Sequence, residues 1–392
     1  MLQINKKLRT QISITGISSI SALGTVQDEV WQSYFSGRPI FSKKKLGVKE
    51  EWVSEIPKDA QSLILHLQRT NTVYKRLDRS VLLAILAAKK AFKSSDYSDM
   101  NIGVNIGSSR GATGLFETSH EQFLAGEGVS AYTSPTTTLG NISSWVGQEL
   151  GVEGVEIGHS VTCSTSLHAI LNGLAWLKSD MADAFVVGGS EAALTAYTLA
   201  QMKAMKLYTN SANILACESM RFQKKRNTMV LGEAAGVAVL EKGVSERTQG
   251  IIEGFGFASE KLEHLSSISE NAVCLQKSMR MALLKAGIKT VDAIVMHAPG
   301  TVKGDASELN AIKAVFGKDL PLLTSNKWLV GHTFGASGML NVEMGILMLK
   351  HNRFIENPFF GNERLLPREL KTILVNAVGF GGNAVSIIIS KP

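Results

Sequence analysis

Cys163 stands among small polar residues in "GHSVTCSTSLHAI", and Leu167, Ile170, Leu171, Leu174 and Leu177 follow it three and four apart, the period of an amphipathic helix starting at or just after the cysteine. A thiol at a helix start faces unpaired N–H groups and the positive end of the macrodipole, which favour thiolate and can lower its pKa below the free value of about 8.5. A thiolate so placed is a nucleophile at neutral pH. A lone cysteine before a helix is more often small, inert packing, so the chemistry needs partners from elsewhere in the chain.

Two histidines in the second half can supply them. His297 ends the strand-like "AIVMH" and is followed by the turn Ala298-Pro299-Gly300-Thr301, while His332 lies in "SNKWLVGHTFGASG" between glycines that admit close backbone approach. Taken singly, each is an ordinary structural histidine. A nucleophilic cysteine with two loop histidines is a different set: it can make the thiolate, donate hydrogen bonds to a carbonyl oxygen and stabilise an enolate.

Elements that must position these groups alternate strand and helix throughout. The run 11–24 reads as a strand and 25–37 as a helix, 41–77 as a charged surface excursion without clear period, 77–92 as a helix, and 101–109 as a buried strand. A helix over Thr113–Phe123 and another within 134–152 precede the cysteine stretch; "AFVVGG" and 232–243 are strands. The pattern then restarts, with a strand at 251–259, a strand ending in a polar turn at 292–301, a short strand and Gly-rich loop at 322–338, helices at Ser269–Ala286, Asp305–Phe316 and Met339–Leu349, and two closing strands in 372–392. Both halves end alike, "VVGGSEA…GEAAGVAVLEK" against "LVNAVGFGGNAVSIIISK". This argues an α/β protein with mainly parallel, helix-covered sheets and a duplicated fold, its halves 1–245 and 246–392 packing face to face.

Composition narrows the function classes. With 392 residues, 44% of them hydrophobic, the chain can bury a large core. Cys163, Cys217 and Cys274 form no CxxC pair and no cluster of zinc spacing, so no disulfide frame or structural metal is indicated. The N-terminal "MLQINKKLRTQISITG" lacks an apolar core of signal-peptide length, no run approaches a membrane span, and a cytoplasmic, reducing setting is expected. The net charge of +7 comes without aromatic interleaving, which argues against nucleic acid and leaves an acidic protein partner, a phosphorylated substrate or simply a basic surface. No G-x-G-x-x-G follows a strand and no G-x-S-x-G is completed, so neither a dehydrogenase nor a serine hydrolase has footing.

Six stretches in order, "ITGISSISALGTVQDEVWQSYFSGR", "GHSVTCSTSLHAI", "MVLGEAAGVAVLE", "HAPGTVKGDASE", "SNKWLVGHTFGASG" and "NAVGFGGNA", resemble the successive signatures of beta-ketoacyl-[acyl-carrier-protein] synthases, the elongating condensing enzymes of the thiolase-like fold. The resemblance implies a layered α-β-α-β-α arrangement of two similar halves. It implies Cys163 as the acyl-accepting nucleophile, His297 and His332 as the pair holding the malonyl thioester carbonyl, and Lys327 as support for the second histidine. Glu308 falls in the buried network behind the site, and the backbone N–H of Phe380 joins that of Cys163 as an oxyanion hole. Acyl groups travel on the phosphopantetheine of an acyl carrier protein, with no metal or other cofactor. The partners implied are that carrier and a second subunit, in a homodimer or a heterodimer with a related ketosynthase-like chain. A structural, chain-length-controlling subunit is the competing reading; such subunits generally lack the cysteine. Starter-loading synthases and thiolases differ at the second histidine.

Departures from the family pattern carry their own expectations. Pro299 replaces the first of two pantetheine-binding threonines, leaving Thr301. Val378 stands where an aromatic is common, and Asn383-Ala384 where Thr-Asn is expected. Arg110, in "IGSSRGATGLFE", aligns with a position that lines the acyl pocket and is usually small or aliphatic. Either it selects a short, polar, unsaturated or aryl-type acyl group, as in polyene pigment pathways, or it points into the dimer interface and pairs with a carboxylate. Lys75, Arg76, Lys203 and Lys206 fall where the family's carrier-docking cations fall, the competing reading being a solvated face.

Overall fold

A computed structural model describes residues 11–47, 49–93, 97–261, 268–363 and 365–392. Residues 1–10, most of the stretch "MLQINKKLRTQISITG" read above for an apolar core, lie outside the described residues. The strands are β1 (Ile12–Ile20), β2 (Ser42–Leu46), β3 (Lys49–Ser54), β4 (Ile102–Gly107), β5 (Glu156–Ile157), β6 (Ala184–Glu191), β7 (Leu231–Gly232), β8 (Ala234–Lys242), β9 (Gly250–Ala258), β10 (Ala293–Val295), β11 (Leu322–Thr324), β12 (Thr372–Gly379) and β13 (Asn383–Ser390).

Ten strands run in the order β11-β10-β12-β13-β9-β1-β8-β6-β4-β5. Read outward from the β9–β1 junction, each half repeats one order: β1-β8-β6-β4-β5 on one side, β9-β13-β12-β10-β11 on the other. The duplication seen in the two similar chain endings is therefore a duplication of topology. The sheet is mixed, however, and not mainly parallel as the strand–helix alternation suggests. The pairings β4–β5, β4–β6, β10–β11 and β10–β12 are parallel, whereas β1–β8, β1–β9, β6–β8, β9–β13 and β12–β13 are antiparallel. The short glycine turn between β12 and β13 has no room for a crossover helix, so that pair must run antiparallel.

Period-two alternation assigns the two faces of each sheet half. On β6, Phe185 and Val187 join the central core while Ala184 and Val186 join an outer one; on β12, Ile373, Val375 and Ala377 face the centre and Leu374 and Val378 face outward. Helices Thr165–Lys178 and Ser337–His351 fill the middle layer, contributing Leu167, Ile170 and Leu174 from one and Leu340, Ile346 and Leu347 from the other. Helix Arg79–Ala91 covers one outer face and helix Val273–Ala286 the other. The result is the expected α-β-α-β-α layering, and both helices of the middle layer begin beside chemistry-bearing loops. Among the described residues, no helix is long and apolar enough to cross a membrane.

The stretch 41–77, expected as a charged surface excursion without clear period, holds regular elements among its described residues. β2 and β3 form a hairpin whose opposed residues include Lys44↔Glu51 and Lys45↔Glu50, and helix Lys58–Thr70 buries Ala60, Ile64 and Leu67. The hairpin faces solvent over most of its length, so opposed lysines and glutamates stand in place of the apolar alternation that marks a strand in sequence.

Candidate active site

Cys163 sits in a tight turn ahead of helix Thr165–Lys178, with Ser164 as the flanking residue. The turn is held locally: Ser164 N–H donates to Val161 O at 3.2 Å, Thr165 N–H to Thr162 O at 3.2 Å, and Thr165 Oγ1 both accepts from Val161 N–H at 2.9 Å and donates to Thr162 O at 2.6 Å. Thr162 adopts a left-handed φ of 48°, a strained conformation for a β-branched residue and one that bends the chain at the nucleophile. The end of β12 closes over this turn. A Cβ on Gly379 would lie 1.9 Å from Thr162 Oγ1 and 2.8 Å from Val161 O, so only glycine allows Phe380 to come alongside Cys163. Thr162 Oγ1 donates to Phe380 O at 3.2 Å and ties the two segments together.

His332 is placed by its backbone. Its N–H donates to Val230 O at 2.7 Å and its C=O accepts from Gly232 N–H at 3.0 Å, fastening the loop to β7. Lys327 opens the short helix Lys327–Val330, and its carbonyl accepts from Gly331 N–H at 2.9 Å. His297 leaves β10 into a turn held by two buried carboxylates of helix Val302–Phe316. Glu308 accepts from the N–H groups of His297 (3.0 Å) and Ala298 (2.8 Å) and from Asn376 Nδ2 (3.1 Å). Asp305 accepts from Gly300 N–H (3.0 Å), Thr301 N–H (3.2 Å), Met220 N–H (2.9 Å) and the Lys224 ammonium (2.7 Å).

These three loops converge. His332 Nε2 lies 3.1 Å from Cys163 Sγ, the His297 and His332 rings stand edge to face with centroids 5.3 Å apart, and the sulfur and one ring nitrogen from each imidazole fall within 4.8 Å of one another. The same three donors are the set among the described residues that could ligate a metal ion. They line a cavity of about 240 Å³, whose wall also includes Asn227, Pro299, Thr301, Phe334, Val378 and Phe380. Two of the noted departures, Pro299 and Val378, thus form its wall.

Burial governs the electrostatics. It pushes the Cys163 thiol up to about 12, with Glu191 adding to the rise and Lys327 opposing it. The expectation of a thiol shifted towards thiolate is therefore corrected: the first N–H groups after Cys163 are spent on the turn, and removal from water outweighs the helix start. Burial likewise holds His297 and His332 well below 6.5, the positive charge of Lys327 assisting at both, and pushes Lys327 itself down to about 8. Glu308 is raised by burial to about 7 despite its N–H donors. The buried Lys327 Nζ has no hydrogen-bond partner among the described residues, so its bearing on His332 is electrostatic.

The remaining expected residues divide. Thr301 lines the cavity, and its Oγ1 accepts from Gly304 N–H at 3.1 Å as the cap of helix Val302–Phe316. Arg110 does not line it: the guanidinium lies 5.9 Å from the Phe334 ring centroid, on a residue that does, and donates to the Gln201 amide oxygen. Among the described residues its partner is an amide, not a carboxylate, and its buried Nε has none. Lys203 and Lys206 adjoin the cavity residues Met202 and Leu207, with Lys203 paired to Glu51. Lys75 and Arg76 lie on the turn Thr72–Arg76, where Arg76 stacks 4.1 Å over Tyr132; neither lines the cavity.

Sequence reasoning missed Glu191 and Phe334. Glu191, fully buried at the end of β6, accepts from Ser108 Oγ, Ser109 N–H, Arg110 N–H and Gly335 N–H, binding the β4 end to the His332 loop. An acid closing the apolar run "AFVVGGSE" was the available signal. Phe334 has a left-handed φ of 43° beside His332, which a phenylalanine in "GHTFGASG" does not announce.

The model "Beta-ketoacyl synthase, N-terminal domain" matches residues 9–245 and "Beta-ketoacyl synthase, C-terminal domain" residues 249–358. Among curated relatives, the 3-oxoacyl-[acyl-carrier-protein] synthase 2 of Coxiella burnetii is 27% identical over 98% of this chain and 99% of its own length. The protein of the same name from Staphylococcus aureus (strain N315) is 26% identical over 97% and 98%. Among solved structures, the ishigamide ketosynthase/chain length factor superposes with a TM-score of 0.83 at 21% identity, over 98% of this chain and 100% of that one. The ketosynthase ApeO in complex with its chain length factor ApeC from Xenorhabdus doucetiae gives 0.81 at 21% identity, over 98% of each chain. The shared thiolase-like fold and the matched domains place this chain in the beta-ketoacyl synthase family.

Proposed function

We propose that the chain is an acyltransferase that condenses an acyl group held on Cys163 with a malonyl unit on acyl carrier protein, giving a 3-ketoacyl-carrier two carbons longer. The observation that carries this is the convergence of one thiol and two imidazoles, from loops far apart in sequence, on the wall of one cavity. The nucleophile belongs to the half ending near residue 245 and both imidazoles to the other.

In the first half-reaction the Cys163 sulfur attacks the carrier's acyl thioester, its proton passing to His332 Nε2 and on to the departing pantetheine sulfur. The thiol and imidazole rest as a neutral pair, so charge develops only as the sulfur attacks. The N–H groups of Cys163 and Phe380 hold the tetrahedral oxyanion. In the second, the malonyl carrier loses CO₂, and the enolate oxygen is held by N–H groups of His297 and His332; the His332 proton, on Nδ1 while Nε2 takes the thiol proton, stands on Nε2 once the acylated sulfur has none to give. The carbanion attacks the acyl-cysteine carbonyl, the C–S bond breaks, and the Cys163 thiolate takes up from solvent the one proton that the decarboxylation consumes. Glu308 and Lys327 keep the His297 turn and the local charge in place.

The acyl and malonyl groups arrive on the carrier's phosphopantetheine, with Thr301 as a contact along the cavity and Lys203 and Lys206 beside it for an acidic carrier; Lys75 and Arg76 are weaker candidates. No metal or further cofactor enters these steps. Arg110 biases the acyl group accepted. A paired subunit, identical or related, and a cytoplasmic setting complete the reading, the latter supported by three free cysteines. Pathway roles in fatty acid or specialised polyketide synthesis both fit.

Mass spectrometry of the intact protein after incubation with acyl-carriers tests the proposal. An acyl mass on Cys163, released as 3-ketoacyl-carrier when malonyl-carrier is added, is the expected result. No acyl mass from any carrier, alone or with a related subunit, would leave the structural-subunit reading in its place.

A further inference from the structure

We propose that His159 is a positioning residue for the nucleophile, the last member of a side-chain relay Asn172–Asn105–His159 that fixes the first residue of the helix behind Cys163. Asn105, fully buried in the middle of β4, donates from Nδ2 to Ile157 O at 2.7 Å and to His159 Nδ1 at 2.9 Å, and accepts at Oδ1 from Asn172 Nδ2 at 2.8 Å. The Ile157 carbonyl can only accept, so the amide group of Asn105 must face it, and the same NH₂ then faces His159. His159 Nδ1 is therefore the acceptor and its proton sits on Nε2, 3.0 Å from the carbonyl of Thr165, to which it donates.

Thr165 is the residue through which this acts. Its hydroxyl already accepts from Val161 and donates to Thr162, so its position sets the strained turn that presents the Cys163 sulfur and N–H. The interlock is steric as well. A Cβ on Gly107, at the end of β4, would lie 2.2 Å from Thr165 Cγ2, 2.8 Å from His159 O and 2.9 Å from the His159 ring, so the imidazole and the threonine pack where no side chain stands. His159 O also accepts from Ser108 N–H at 3.2 Å, and Ser108 is a partner of Glu191. The relay thus registers the nucleophile turn against β4, the strand whose end also carries Arg110.

The inference rests on the proposed role of Cys163, and its test separates the two. Two substitutions are compared: His159→Leu, which keeps bulk and loses both hydrogen bonds, and His159→Gln, whose amide can accept from Asn105 and donate to Thr165. Acylation of Cys163 by a small acyl thioester needs the oriented N–H groups, whereas alkylation by iodoacetamide needs only the sulfur. We expect His159→Leu to lose about tenfold or more in acylation while alkylation is retained, and His159→Gln to recover most of the acylation. Ring ¹⁵N chemical shifts should place the His159 proton on Nε2 at neutral pH. Equal acylation in wild type and His159→Leu, a His159→Gln variant no better than the leucine one, or a proton on Nδ1 would each overturn the proposal. Failure of wild-type Cys163 to accept any acyl group would instead overturn the function proposed above, and the tautomer would still decide the role of His159.

Discussion

His332 Nε2 meets Cys163 Sγ at 3.1 Å across 169 positions of sequence, and both groups are almost wholly buried. Burial acts on them in opposite directions, raising the thiol and lowering the imidazole, so the proton stays on sulfur. On the function proposed here, the pair stores no charge at rest and passes a proton only when an acyl thioester arrives.

Alkylation of Cys163 should report this state. With the thiol pushed up to about 12, its rate with iodoacetamide should rise about tenfold per pH unit from pH 7 to pH 9 without a plateau, because the reactive species is the thiolate. A plateau near neutrality would mark a thiolate already formed. Peptide mass spectrometry separates Cys163 from the buried Cys217 and Cys274.

Replacing the two histidines should divide the half-reactions. His297 faces the cavity with its Nδ1 sealed from solvent, and no hydrogen bond joins it to the sulfur, whereas His332 touches it. His297→Ala should leave acylation of Cys163 intact and slow CO₂ release from malonyl-carrier by about 10²–10³. His332→Ala should slow both steps. Equal losses in acylation would contradict the assignment.

Much of this site was legible in the sequence because its groups sit where local pattern marks an element's end: Cys163 before a periodic helix, His297 after an apolar run, His332 between glycines. The order of six stretches supplied the fold. What the sequence withheld depends on distance in space. The thiol's raised pKa comes from packing by residues such as Phe334 and from Glu191, neither near it in sequence, and the His159 relay needs β4 to lie beside the turn. The hairpin at 42–54 was hidden for another reason, its apolar alternation being replaced by Lys–Glu pairs.

Glu343 offers a test of the buried charge pattern through stability. It lies in helix Ser337–His351, accepts from Ser19 Oγ of β1, and is raised by burial from 4.5 to about 7. Between those values the folded chain keeps a proton that the unfolded chain has released. The stabilisation is therefore full below about pH 4.5 and lost as the pH climbs to about 7. Glu343→Gln carries no such dependence. Its Tm relative to wild type should rise from pH 4.5 to 7 and then level off; a constant difference would refute a proton held there.

Arg110 governs the last prediction. The guanidinium lies 5.9 Å from the ring centroid of Phe334, donates to Gln201, and leaves a buried Nε–H without an acceptor among the described residues. A cation held there without a carboxylate is costly to leave beside a long saturated chain, which returns no hydrogen bond, and is offset by an acyl group that is short, polar, unsaturated or aromatic. Competition between acyl-carriers for Cys163, read by mass spectrometry, should favour such groups in the wild type. Arg110→Ile, which removes the charge and supplies apolar surface, should shift the preference towards longer saturated chains. For a difference of two methylenes the gain should be about tenfold, given roughly 0.8 kcal/mol per buried CH₂. An unchanged order of preference would remove Arg110 from substrate selection and leave its contact with Gln201 as its role.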